Sequence, residues 1–316
     1  MKNLAPIGVS TYSRLKHLKQ TIEALQKNTL AKQSELYIFS DGPQQGDKEN
    51  VAKVREYIHT IDGFKKVYII EREINGRVAN NRGGIKQLLD KFGKIIWLEE
   101  DIVTAPGFLR YMNEALEFYK KDERIISISG YCPPFKFPKE YREEVFLLQR
   151  FSAWGFATWK EKFDPFGFEL AKHDIDGFFQ DKKAIKDFKL NGENTYRMLL
   201  SEYKNEINAL DIKIAYYVYK YNMYSLFPKK SFVQNIGHDG TGEHCGTSIL
   251  FNHEKLQDKV DGFKFIDKVQ SDETIKILDR KFREIKWKLK IRYQIIDFLE
   301  YLKIYSYVRK SINAKT

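Results

Sequence analysis

The stretch KIIWLEEDIVTAP, residues 94–106, carries the densest chemistry in the chain. Four apolar residues, Ile95 to Leu98, run straight into Glu99, Glu100 and Asp101. Adjacent carboxylates repel one another, so a buried strand that ends in three of them needs a partner for their charge. Hard cations such as Mg2+ and Mn2+ prefer oxygen ligands, and such sites combine one or two carboxylates with substrate phosphates. A divalent ion here would offset the repulsion and bridge a nucleotide pyrophosphate. Helix-start chemistry is the plainer account: acids favour helix N-termini, and Thr104 ahead of APGF suits an N-cap. That account covers Thr104 and one acid and leaves the other acids unexplained.

Other polar groups follow other apolar runs. TYSR offers Thr11 and Arg14, and a guanidinium suits phosphate geometry; a solvated first-turn residue is the plainer reading. FSDGP places Asp41 after a strand, where it can accept from a base or ribose, although Asp-Gly-Pro is equally an ordinary turn. The glycine-rich GHDGTGEHCGTS brings His238 and His244 together with acids, a composition that suits a closing lid or a solvated loop. His244 and Cys245 have no Cys or His partners at zinc spacing, which excludes a zinc site. In FSAWGFATW the rings of Trp154, Phe156 and Trp159 can stack on sugars or fill a core. No serine or cysteine has the setting of an activated nucleophile.

The elements that must position these groups alternate. Apolar runs at LAPIGVS, ELYIFSD, KVYIIERE, KIIWLEED and RIISISGY are separated by helical patterns. In the first of these helices Leu15, Leu18, Ile22 and Leu25 share one face. Short continuous strands between helices predict an α/β fold, a mostly parallel sheet with helices on both faces. The polar clusters then fall at the carboxyl ends of strands, the ligand-binding edge of open α/β sheets. Residues 131–250 turn aromatic and irregular, with one helix predicted at INALDIKIAYYVYKYN and a strand at MYSLFP. From about Thr274 the chain reads as a basic amphipathic helix.

Composition narrows the classes. The 316 residues, 42% hydrophobic and 15% aromatic, suffice for a large core without staples. Two cysteines, Cys132 and Cys245, argue against a disulfide framework and for a reducing compartment. Neither a secretory leader nor an apolar run of the ~20 residues that span a bilayer is read. Of the net charge of +11, +8 lies in residues 276–316, so the excess is a property of the tail.

Taken together, PIGVSTYSRLKHLKQTIEAL, IFSDGP, IIWLEEDIVTAPGFLRYMNEAL and AWGFATW resemble the nucleotide-sugar domain of GT-A fold glycosyltransferases. The likeness is to the N-acetylglucosaminyltransferase I type and to bacterial family 2-like sugar transferases, and it covers roughly residues 4–250. It implies a donor-binding half over residues 1–130, an acceptor-side half of the same domain over 131–260, and a basic helical tail over 261–316. In that family an acid triplet of Glu-Asp-Asp form follows the fourth strand and its last Asp binds Mn2+. Asp101 matches that ligand, so the resemblance implies Mn2+ or Mg2+ as cofactor. Glu100 stands where the family has Asp, nearest the ribose or the sugar, with Glu99 before it. Thr11, Arg14, Asp41 and Asn80 match donor contacts, Arg14 and Asp41 those to the base. Trp154 and Phe156 fall in the stretch that frames donor and acceptor. Asp211, in INALDIKIAYY, matches the catalytic base, and its place at a helix start would keep it ionised. His238 or His244 is implied as a further metal ligand, as in some GT-A enzymes.

The expected activity is metal-dependent, inverting transfer of a hexosyl or N-acetylhexosaminyl group. It would run from a nucleoside-diphosphate donor, UDP by resemblance, to a hydroxyl of a glycan or lipid-linked saccharide. The tail interleaves Lys and Arg with Trp, Phe and Tyr, which suits an anionic membrane surface, a helix packed on the catalytic domain, or an oligomer contact. With no nucleic-acid motif beside it, the expected setting is cytoplasmic, peripheral on the inner face of the cell membrane. Two rivals stand. A sugar nucleotidyltransferase would need a glycine-rich phosphate loop after the first strand, and STYSRLKHLKQ has none. A non-catalytic nucleotide- or carbohydrate-binding protein would have little need for three apposed acids.

Overall fold

Runs such as IGVST and KIIWLE, rich in β-branched residues and apolar on both faces, form strands that are covered on both sides. The computed structural model describes residues 3–164, 169–240, 255–268, 270 and 272–283. In it β1 (Ile7–Thr11), β2 (Glu35–Ser40), β3 (Lys66–Glu71) and β4 (Lys94–Glu99) are joined by α1 (Leu15–Gln26), α2 (Lys48–Ile58) and α3 (Arg77–Phe92). Their order is β3-β2-β1-β4 and every pairing is parallel. On α1, Leu18, Ile22 and Leu25 are fully buried and Leu15 packs at their margin, the face expected from their spacing.

Beyond β4 come β5 (Ile102–Thr104), α4 (Phe108–Phe118), β6 (Ile125–Ser129), β7 (Val145–Leu148), β8 (Phe156–Trp159) and α5 (Lys160–Phe163). A helical layer follows, made of α6 (Lys172–Gln180), α7 (Lys182–Phe188), α8 (Glu193–Tyr203) and α9 (Leu210–Lys220), then β9 (Tyr224–Pro228), β10 (Val233–Asn235) and α10 (Glu273–Arg283). The sheet continues as β4-β8-β6-β9-β7, with β8 antiparallel to both neighbours, β6–β9 parallel and β7–β9 antiparallel. The result is an α/β fold on a mostly parallel, mixed sheet that runs through both halves of the chain. The simple strand–helix alternation ends at β4, where FATW slips in antiparallel between β4 and β6.

Trp97 on β4 sets the spacing of the donor-side layer. A methyl group on Gly8 of β1 or Gly84 of α3 would collide with its indole, so the ring lies against bare backbone on both. This close approach holds α3 over β4 and brings the first turns of α3 to the end of the strand.

One expectation needs correction. Thr104 does not cap a helix. It ends β5, and its hydroxyl accepts from Asn28 Nδ2 at 3.0 Å, while Gly107 stands at the start of α4 with no side-chain cap. Of the alternatives for the basic tail, packing on the domain describes its first turns: on α10, Ile275 is buried and Phe282 meets Phe135 edge-on. Residues 284–316, most of that tail, lie outside the described residues. Among the described residues no helix is long and apolar enough to cross a membrane.

Candidate active site

The parallel register aligns the carboxyl ends of three strands, with Ser10 opposite Glu99 and Thr11 opposite Ser40. Glu99 closes β4, and the turn before β5 presents Glu100 and Asp101, both buried. Glu100 is fully engaged. Its Oε2 accepts from Thr11 Oγ1 at 2.6 Å and from the Tyr12 N–H at 2.7 Å, and its Oε1 from Arg14 Nε at 2.7 Å. Arg14 then reaches on, its Nη2 donating to Asp101 Oδ2 at 2.7 Å. Thr11, Arg14 and Glu100, expected as donor contacts, are here in contact with one another. The mutual repulsion of Glu100 and Asp101 is offset by a guanidinium from the start of α1, an internal partner that charge spacing in one strand cannot reveal.

Asp101 keeps one oxygen in reserve. Oδ1 is buried and without a hydrogen-bond partner, as is Nη1 of Arg14. The segment after β10 closes over it: the Ile236 N–H donates to the Asp101 carbonyl at 2.9 Å, and a methyl group on Gly237 would strike the carboxylate. Among the described residues no three His, Cys, Asp or Glu side chains gather as a metal cage. The glycine backbone lies against Oδ2, the oxygen that Arg14 holds, and the orphaned Oδ1 fits a hard cation that takes its other ligands from a diphosphate. His238, next along, lies edge-on to Trp154 at 5.3 Å, and His244 lies outside the described residues.

Glu99 is the carboxylate that feels both the Asp101 and the Asp211 charges. Glu99 accepts from Asn81 Nδ2 at 3.1 Å. Burial first, then the Asp101 charge, pushes its carboxyl up from the ordinary range; Asn81 and Arg77 oppose this and the Asp211 charge adds to it. Asp211 stands in the first turn of α9, whose N-cap is Ala209, so it is not the cap itself. Burial is the largest influence on Asp211 and pushes its carboxyl up from the ordinary range. The backbone N–H groups of Ile212 and Asp211, and the charges of Arg150 and Arg77, pull the other way.

The remaining expected residues divide. Asp41, at the end of β2, holds the loop before α3, accepting from the Gly76 N–H at 3.0 Å, the Gly42 N–H at 2.9 Å and Asn75 Nδ2 at 3.3 Å. Asn80 donates from Nδ2 to the Phe39 carbonyl at 2.9 Å and leaves Oδ1 buried without a partner; Asn81 Oδ1 is likewise unpartnered. Trp154 is half-buried, stacked edge-on against Tyr131 as well as His238. Phe156 is a core residue, packed on Phe151 and Phe163, so its expected acceptor role is corrected. Trp159 is also core, with Lys162 over its ring. Asn81, Arg77 and Arg150 were not singled out in the sequence. Asn81 and Arg77 lie beside Asn80 in RVANNRGG, the one local hint.

No protein-family model and no curated protein sequence matches the chain. Among solved structures it is similar to TarS of S. aureus at 11% identity and TM-score 0.34, over 53% of this chain and 30% of that one. It is similar to the mannosyltransferase PcManGT of Pyrobaculum calidifontis, solved with GDP-Man and Mn2+, at 12% identity and TM-score 0.36, over 53% and 47%. The third similarity is to GalNAc-T7, solved with UDP, GalNAc and Mn2+, at 15% identity and TM-score 0.43, over 72% and 43%. The chain spans less than half the length of each of these proteins.

Proposed function

We propose that the chain is a glycosyltransferase that moves a sugar from a nucleoside-diphosphate donor, UDP by sequence resemblance, to a saccharide hydroxyl. The observation that carries this reading is Asp101, buried at the sheet's carboxyl edge with Oδ1 unpartnered, next to Glu99, whose carboxyl feels the charges of both Asp101 and Asp211. The donor lies along the ends of β1, β2 and β4, where Asn80 Oδ1 and Asn81 Oδ1 supply acceptors for its hydroxyls. Asp101 is the residue that would hold Mn2+ or Mg2+, and the ion when bound supplies the positive charge a departing diphosphate needs.

Asp211 takes the proton from the acceptor hydroxyl, and that oxygen forms the new bond to the anomeric carbon as the bond to the diphosphate breaks. Attack from the face opposite the leaving group inverts the anomeric centre. A base whose pKa is lifted by burial binds that proton more strongly than a solvated Asp, which suits the task. Trp154 frames the sugar with a half-exposed ring, and the acceptor is a glycan or lipid-linked saccharide approaching over α9.

A thermal-shift panel of nucleotide sugars with and without Mn2+ tests the reading. A UDP-sugar is expected to raise the melting temperature more with Mn2+ than without it, and a flat response to every nucleotide sugar would sink the proposal. A second reading has an observation in its favour. Arg14 already neutralises part of the acid cluster, which suits a donor bound without metal, and equal UDP binding with and without Mn2+ would select it.

Asp211→Asn is expected to lower kcat by about 10²–10⁴-fold, the usual worth of a positioned base, with donor affinity kept. Burial raises the folded pKa of Asp211, so wild-type kcat/KM should climb with pH through a value above 3.8, the deprotonated form being the active one. A variant with wild-type kcat would remove Asp211 from the mechanism.

A further inference from the structure

A second polar cavity opens beside Asp211, away from the triplet. It holds about 70 Å³ between the end of β7 and helices α8, α9 and α10. Arg150, Arg283, Gln149, Thr195 and Asp211 line it over an apolar floor. That is room for a handful of waters, and so for one tetrahedral oxyanion.

The two arginines differ. Arg283 is buried and held by Asp279, through Nε at 2.9 Å and Nη2 at 2.7 Å, with its stem against Gly192. Burial, followed by the Arg150 charge, brings its pKa down to about 10. Arg150 is half-buried and has no hydrogen bond or ion pair with any described residue, so its donors are uncommitted. Two guanidinia that face one cavity repel each other unless an anion lies between them, and a planar guanidinium fork matches phosphate geometry. Arg283 comes from the C-terminal segment, beyond residue 250, where the sequence likeness to the nucleotide-sugar domain ends.

We propose that Arg150 and Arg283 form an anion subsite for a phosphate group carried by the acceptor close to its reacting hydroxyl. The assignment to the acceptor rests on the glycosyl-transfer reading, in which Asp211 marks the acceptor side. None of the acid triplet and no residue of β1 or β2 lines the cavity, which separates it from the donor edge. A bound phosphate also adds a negative charge near Asp211, and a like charge makes a carboxylate a stronger base. The acceptor's own charge would thereby help remove its proton.

Calorimetric titration of the full chain with inorganic phosphate and with glycerol 3-phosphate, without donor, tests the subsite. Arg150→Gln should weaken both by about tenfold, the loss of a charge-assisted pair. UDP affinity in Mn2+ should stay at the wild-type value. Arg150 has no hydrogen bond or ion pair to lose among the described residues, so the variant is expected to keep the wild-type melting temperature, and Arg283→Gln gives a second, independent loss. Phosphate binding that is absent in the wild type, or undiminished in Arg150→Gln, overturns the proposal. So does a fall in UDP affinity that parallels the phosphate loss, which would assign the arginine to the donor's diphosphate. Binding of a free oxyanion needs no transfer, so failure here leaves the glycosyl-transfer reading standing.

Discussion

Asp101→Asn should abolish the Mn2+-dependent part of UDP binding and lower transfer about a thousandfold, because an ion on a departing diphosphate is worth several kcal/mol. The amide keeps an oxygen for Arg14 Nη2, which now donates to Oδ2 at 2.7 Å. The fold should therefore survive, and thermal melting without ligand separates loss of the site from loss of structure. What disappears is the anionic character of the orphaned oxygen, which accepts no hydrogen bond from any described residue. Titrating UDP with and without Mn2+ gives the readout independent of turnover. If the variant still binds UDP more tightly in Mn2+, the ion sits elsewhere and Asp101 belongs to the Arg14 pair alone.

Arg14→Met should cost about 3 kcal/mol of stability, the lower end of the range for removing one partner of a buried ion pair. The lower end applies because the Arg14 side chain is 22% exposed while both its acids are 7% exposed. Methionine replaces the aliphatic stem and leaves Glu100 Oε1 and both Asp101 oxygens without a donor. Urea denaturation at pH 7 measures this, and a deficit within about 0.5 kcal/mol, the range of an ordinary surface change, would show the pair to be idle.

Legibility in the sequence followed the range of the interaction. Strands β1 to β4 and helix α1 could be read because their signals are local: apolar runs of strand length and a face repeating every three to four residues. The carboxyl edge was legible for the same reason, since parallel strands must place their ends together. The pairing of Arg14 was not, because its partners lie in the turn after a strand reached only after two intervening units, and a first-turn arginine looks the same whether solvated or buried. Phe156 was misplaced because a strand aromatic gives no sign of which sheet face it joins; it faces Phe151 and Phe163. Arg150 follows the plain strand run VFLL, and Arg283 sits in a segment that read as a surface helix. Their meeting depends on how α10 returns to the acceptor side, a tertiary fact with no periodic trace.

The order in which the ribosome delivers these parts also matters. Arg14 emerges before the triplet, so a guanidinium is already present in the chain when Glu100 and Asp101 appear. The antiparallel pairing of β10 with β5, and the Ile236 bond to the Asp101 carbonyl, come much later. At about 5–20 residues per second, the interval is on the order of ten seconds. Throughout that time the growing chain has Glu100 and Asp101 paired with Arg14 and its pocket unroofed. The last third of the polypeptide therefore acts as the closing step of assembly, and a truncated translation product would leave the Asp101 backbone carbonyl uncovered.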